Sequence, residues 1–193
     1  MSDIPREDKR PQEGAPPDHS EWPVWAMESV TLTEPDPLWL VQGEQLRQEL
    51  ASLLLPFGIA EIEHIGSTSV PGLPAKPILD LMAAVRGWED IPDIARVLAP
   101  HHWHFVPPEL DERPWRRFFV QAPQERRTAH LHLLLEDDPH GDDLIRFRNR
   151  LRSDPALRDA YARLKQQLAA QFREDREAYT AAKSGFIRSA LET

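Results

Sequence analysis

The sequence predicts an α+β fold, a mixed β-sheet with helices packed against it and a helical C-terminus. Three observations carry this. Ile78 to Val85 is a near-continuous apolar run broken by one charge, Asp80, the pattern of a central strand covered on both faces. Leu157, Tyr161, Leu164, Leu168 and Phe172 recur at helical spacing late in the chain. Read in order, the elements run β-α-β-loop-β-α-β-β-β-α-α-α, which suits helices packed against one sheet.

The elements follow from local signals. Met1 to about Ser20 carries four prolines, many charges and only Met1 and Ile4 as larger apolar groups, too little to offset the entropy of ordering. Residues 1–28 are therefore expected as a disordered or loosely docked tail, with Trp22 and Trp25 as its anchors, and 29–193 as one domain. A short strand is expected near Val30. Asp36-Pro37 then starts a helix, with Trp39, Leu46, Leu50, Leu53 and Leu54 on its inner face, and Pro56-Phe57-Gly58 stops it. Ile59 to Ile65 reads as a strand, and Gly66 to Pro77, with two glycines and three prolines, as a loop. After the Ile78–Val85 strand, Ile91 to Ala99 forms a helix with Ile91, Ile94 and Leu98 inward. His102 to Val106, Trp115 to Gln121 and Ala129 to Leu135 are three more strands. A polar helix spans Asp142 to Arg152. Asp154-Pro155 starts the long helix, and a last one runs from about Asp175 to Leu191.

Composition narrows the function. The chain has 193 residues, a formal charge of −9 and no cysteine, which excludes disulfides and thiolate metal sites and makes nucleic acid an unfavoured partner. No stretch approaches the roughly 20 apolar residues of a membrane helix, and the N-terminus lacks a signal-peptide core. A cytoplasmic location is expected.

The most informative stretch is Ile62 to Leu81. A strand ends at Gly66-Ser67, a Pro-rich loop follows, Lys76 precedes the next strand and Asp80 sits inside it. Glycine lets the backbone approach an anion, while neighbouring N–H groups and the hydroxyls of Ser67, Thr68 and Ser69 can donate to it. Lys76 adds a point charge. No Gly-Lys-Ser/Thr follows the glycines, so this is not a P-loop. The bland alternative is a structural loop.

His64-Ile65-Gly66-Ser67-Thr68-Ser69-Val70-Pro71-Gly72-Leu73, followed by Ala75-Lys76-Pro77-Ile78-Leu79-Asp80-Leu81, resembles the signature of the GrpB family. Arg116-Arg117-Phe118-Phe119, His130-Leu131-His132-Leu133, Phe147 to Arg152 with Pro155, and Tyr179 with Lys183, Phe186 and Ile187 agree in order and spacing. The resemblance covers about Val30 to Leu191. It implies a nucleotidyltransferase-like fold, a module that some relatives fuse to dephospho-coenzyme A kinase. In that superfamily a Gly-Ser turn binds triphosphate and an Asp-x-Asp pair holds divalent metal for in-line transfer. Here Asp80 fits one position, but Ile78 and Met82 flank it, leaving Glu63, Glu61 or a histidine to supply a second ligand.

His130 and His132 are two apart on a strand and share a face, so with Asp80 they suit metal binding or proton transfer. The alternative is two histidines on a hydrogen-bonded sheet face. His101, His102 and His104 read as surface or structural residues. Arg116 and Arg117 point to opposite sides of their strand, and one of them can reach an anion with a bidentate fork. The arginines at 146, 148, 150 and 152 spread around a helix and read as a solvated face.

The candidate set is therefore Asp80, His130 and His132 as catalytic groups. Asp80 and His132 are the candidate ligands to a divalent ion (Mg²⁺, Mn²⁺ or Zn²⁺). His64, Gly66, Ser67, Thr68, Lys76, Arg117, Tyr179 and Lys183 are candidates for holding a nucleotide or other phosphorylated small molecule. Two main functions remain open, metal-dependent nucleotidyl transfer or a catalytically inactive binding or accessory module of the same fold, with metal-dependent hydrolysis using His130 and His132 as a weaker third.

Overall fold

A computed structural model of the chain describes residues 23–111 and 113–192. The expected tail, Met1 to Ser20, and Trp22 lie outside the described residues.

Five strands form one mixed sheet in the order β1-β2-β5-β4-β3. They are β1 (Glu63–Ile65), β2 (Leu79–Val85), β3 (Trp103–Val106), β4 (Arg116–Gln121) and β5 (Ala129–Leu135). Only β2 and β5 run parallel; the other neighbours are antiparallel. Strand alternation sorts the side chains. Leu81, Ala83, Val85, Phe119, Leu131 and Leu133 face one side and bury against α1 (Leu38–Leu54) and α2 (Ile91–Leu98). Asp80, Met82, His130, His132, Phe118 and Arg116 share the other side by register.

That second face is only partly covered. The helix α4 (Pro139–Ser153) lays Leu144 and Ile145 over Ile65, Met82 and Leu134. Beyond it, α5 (Pro155–Gln171), α6 (Arg176–Ala182) and α7 (Ser184–Glu192) pack onto the loop between β1 and β2. Val70 and Leu73 of that loop join Leu151 and Tyr161, while Val30 joins Leu168 and Tyr179. The open part of the face, where Asp80 lies, is thus walled by the C-terminal helices.

Several expectations are corrected. Val30 is buried but forms no strand. Its N–H donates to Arg173 O, and the only ladder contact nearby is the Thr33–Ala75 bridge. The first strand is three residues long rather than seven, because Arg47 Nη1 donates to Ile62 O at 2.9 Å and takes that carbonyl from the ladder. The last helix breaks at Lys183, ahead of Ser184 and the poor helix former Gly185. A short helix, α3 (Pro108–Asp111), was not anticipated. Trp25 sits against the domain: Arg127 Nε donates to its carbonyl at 2.7 Å, and the Arg127 guanidinium lies 5.0 Å from its ring centre.

Candidate functional site

The turn after β1 is braced from behind. Gly66 takes φ 68°, ψ −172°, a conformation open almost only to glycine, and starts a 3₁₀ turn over Ser67–Ser69. Thr68 Oγ1 lies 3.4 Å from Ile78 O and 3.0 Å from His64 Nε2, so a relay from His64 through Thr68 ties the turn to the start of β2. Ser69 Oγ donates to Gly66 O at 2.6 Å. Arg152 reaches Ser69 O from Nε and Nη2 at 3.0 and 2.8 Å. Arg148 Nη1 donates to His64 O and to Glu63. Arg148, which is buried, and Arg152 are therefore turn clamps rather than part of a solvated face, whereas Arg146 is exposed and pairs with Asp143 as expected.

In front of the turn stands Asp80, its side chain 30% exposed. His130 donates from Nδ1 to Asp80 Oδ1 at 2.8 Å, since an ionised carboxylate only accepts. His132 Nε2 lies 3.6 Å from the same oxygen and has no hydrogen-bond partner. Arg116 Nη1 approaches His132 Nδ1 at 2.5 Å, and a guanidinium only donates, so the ring proton sits on Nε2 and points at Asp80. Arg116 is itself fixed by Asp111, which accepts from Nε and Nη2 at 2.8 and 2.5 Å. Burial alone would push the Asp80 carboxyl up, but the hydrogen bond from His130 and the nearby His132 ring hold it well below the usual carboxylate range. Burial pushes His130 down to about 3 against the pull of Asp80, and it lowers His132, helped by Arg116. The cluster is one carboxylate between two neutral imidazoles.

Cations surround it. Lys76 and Lys183 both lie over the Tyr179 ring, at 5.3 and 4.3 Å from its centre. Lys165 reaches Ser67 Oγ at 3.0 Å from the side of α5. Arg176 Nη2 is 3.5 Å from His130 Nε2. Burial is the largest cause of depression for each lysine: Lys76 falls to about 6, Lys165 to about 7 and Lys183 to about 8, with neighbouring cations adding to it and Asp80 opposing. The Arg176 guanidinium is lowered by burial as well.

Asp80, His130 and His132 offer ligand atoms within 4.8 Å of one another, close enough to share an ion. Their surroundings oppose one. A metal-bound imidazole hands its other N–H to an acceptor, whereas here the outer nitrogens of both rings face guanidinium groups, Arg116 and Arg176. The position two residues past Asp80 is Met82, sealed among Ile65 and Leu134, and Glu63 is taken by Arg148. The expected metal ligands therefore come together as a triad with the spacing to share an ion, set between two guanidinium groups.

The GrpB protein family model matches residues 29–193. The chain belongs to the GrpB family. Among relatives, the UPF0157 protein YqkA of Bacillus subtilis is 35% identical over 152 residues, which is 78% of this chain and 43% of that protein. A dephospho-CoA kinase of Mycolicibacterium paratuberculosis is 24% identical over 187 residues, covering 83% of this chain and 45% of the kinase. The chain thus spans under half the length of these two proteins. The crystal structure of the conserved protein GrpB from Enterococcus faecalis superposes with a TM-score of 0.74 at 31% identity, covering 84% of this chain and 95% of that one.

Within this GrpB fold, Gly66, Ser67, Lys76, Asp80, His130, His132, Tyr179 and Lys183 gather around one face. Three expected site residues stand elsewhere. His64 and Thr68 brace the turn from behind, and His64 is pushed down to about 4, chiefly by burial. Arg117 lies on the opposite sheet face, its guanidinium 4.2 Å from the Trp88 ring centre; Arg116 is the one on the Asp80 side. Lys165, Arg176 and Asp111 were not singled out from sequence. Lys165 had a legible signal, a lysine inside the apolar stripe of α5 between Tyr161 and Leu168.

Proposed function

We propose that this GrpB domain binds a phosphorylated small molecule in the pocket between the Gly66–Ser67 turn and α5–α6. One observation carries the reading. The chain holds 32 acidic residues against 23 basic ones, yet Lys76, Lys165 and Lys183, the three lysines among the described residues, converge on this one face. No carboxylate pairs with any of them: every ion pair among the described residues uses an arginine or a histidine. Crowding unpaired ammonium groups costs free energy that an anion would return. A glycine turn with a serine hydroxyl completes a phosphate cradle.

Nucleotidyl transfer is the finer alternative, and the site speaks against it. Met82 occupies the second carboxylate position inside an apolar cluster, and both imidazoles are backed by guanidinium groups. The reading is therefore a binding or accessory module that has kept an anion pocket. Fold alone does not decide this. A melting-temperature screen tests it with tripolyphosphate, pyrophosphate, ATP and dephospho-coenzyme A, each with EDTA and with Mn²⁺. Occupancy at 100-fold above Kd adds about 2.7 kcal/mol of stability. At least one phosphate compound should stabilise the fold in EDTA. Stabilisation seen only with Mn²⁺ would restore the metal reading, and no stabilisation by any of them would sink the pocket.

A further inference from the structure

Lys165 is the least expected group in the molecule. It projects from the middle of α5, is 2% exposed and lies 5.0 Å from the Tyr161 ring centre. Nζ meets two oxygens, Ser67 Oγ at 3.0 Å and Pro74 O at 2.5 Å. Both are neutral. The charges that act on it from neighbouring elements are Lys183 of the α6–α7 corner, which opposes its ammonium form, and Asp80 of β2, which favours it.

Donor and acceptor roles then fix the direction of one proton. An ammonium has three N–H donors and no lone pair, so Ser67 Oγ accepts from Lys165. The Ser67 O–H must point away from Lys165, and among the described residues Ser67 Oγ has no other hydrogen-bond partner. Ser67 directly follows Gly66, the residue pressed against Asp80, and is half-buried at the start of the turn.

We propose that Lys165 is the positioning residue of the anion pocket: by donating to Ser67 Oγ from behind, it turns the Ser67 O–H outward to donate to an oxygen of a bound phosphoryl group. This rests on the phosphate-pocket reading above and adds a buried charge set directly behind the bound anion. It also makes binding proton-linked. In the free protein burial holds Lys165 down to about 7. An anion on Ser67 favours the ammonium form, so above pH 7 binding draws in a proton and affinity falls as pH rises.

The test is calorimetric titration of the full chain with tripolyphosphate at pH 8.5, in two buffers of different ionisation enthalpy so that proton uptake is counted. Wild type, Ser67→Ala, Lys165→Met and the double variant are compared, with melting curves as the check on folding. Ser67→Ala, which keeps Lys165 and the turn backbone, should weaken binding roughly 10- to 100-fold, the worth of one charge-assisted hydrogen bond. Lys165→Met should weaken it by at least as much and lower proton uptake by about one. The double variant should bind within about threefold of Lys165→Met, because the two residues act as one unit. Additive losses, or a Ser67→Ala variant that binds and takes up protons like wild type, would overturn the positioning role and leave the pocket standing. If Lys165→Met fails to fold, the Ser67→Ala result alone decides. Wild type that binds none of tripolyphosphate, pyrophosphate or phosphate removes the pocket itself, and this role with it.

Discussion

Gly66 presses its Cα against the Asp80 carboxylate: a Cβ added at residue 66 would lie 2.4 Å from Asp80 Oδ2 and 2.9 Å from Asp80 Cβ. The turn and the acid are thus one unit. Gly66→Ala adds two penalties, a left-handed φ and a clash with a group already held by His130. It should destabilise the fold by about 1–3 kcal/mol and abolish tripolyphosphate binding. Urea melts and titration check this; a folded Gly66→Ala with unchanged affinity would show that the turn does not shape the pocket.

Gly43 gives a sign reversal. Alanine in place of glycine inside a helix normally stabilises by about 1 kcal/mol. Gly43 is buried in α1, and a Cβ there would meet His64 Nδ1 at 2.2 Å. Gly43→Ala should instead cost about 1–3 kcal/mol as His64 is forced from Thr68 and the turn loses its brace. A raised melting temperature would contradict this packing.

The buried lysines set an unusual pH response. Lys76, Lys165 and Lys183 sit at about 6, about 7 and about 8 in the fold, below the ordinary lysine value. Between pH 8 and 10 the unfolded chain binds more protons at these sites than the folded one, so raising pH favours folding, by up to about 1.4 kcal/mol per unit for each lysine. The free protein should melt later at pH 9 than at pH 7. Saturating tripolyphosphate should flatten that rise, because bound anion keeps the lysines protonated. Scanning fluorimetry across pH 6 to 10 measures both; a flat profile in the free protein would refute the crowding.

Asp80 separates the metal reading from the anion reading. It is the one acid that acts on Lys76, Lys165, Lys183 and Arg176 alike. Asp80→Asn removes that charge but keeps an oxygen for His130 Nδ1–H. Tripolyphosphate affinity should rise several-fold, while the free fold loses about 1–3 kcal/mol from weakened hydrogen bonds. An ion held by Asp80 and needed for ligand binding predicts the opposite, a loss of binding that tracks Mn²⁺. Among the described residues no helix is long and apolar enough to cross a membrane.

Much of the fold was legible. Ala129–Leu135 appears as a strand over the expected residues, Asp154 caps α5 by accepting from Leu157 N, and Ile91, Ile94 and Leu98 bury as their spacing requires. Local periodicity and capping are short-range physics, written within a few residues. Two of the errors fall where a distant group intervenes, Arg47 on the carbonyl of Ile62 and Arg173 on the N–H of Val30.

By itself the sequence determined the strand carrying Asp80, the shared face of His130 and His132, and the Gly66–Ser67 turn, and the resemblance of its motifs pointed to the family. The three local features are set by spacing along the chain. The tertiary structure decided what surrounds them. It brought Lys165 from 98 residues away to Ser67 and Arg116 onto His132, and it placed Arg117 on the far side of the sheet. Donor and acceptor roles depend on which groups meet across the pocket. That is fixed by how α5 and α6 pack on the β1–β2 loop, and no local pattern encodes it.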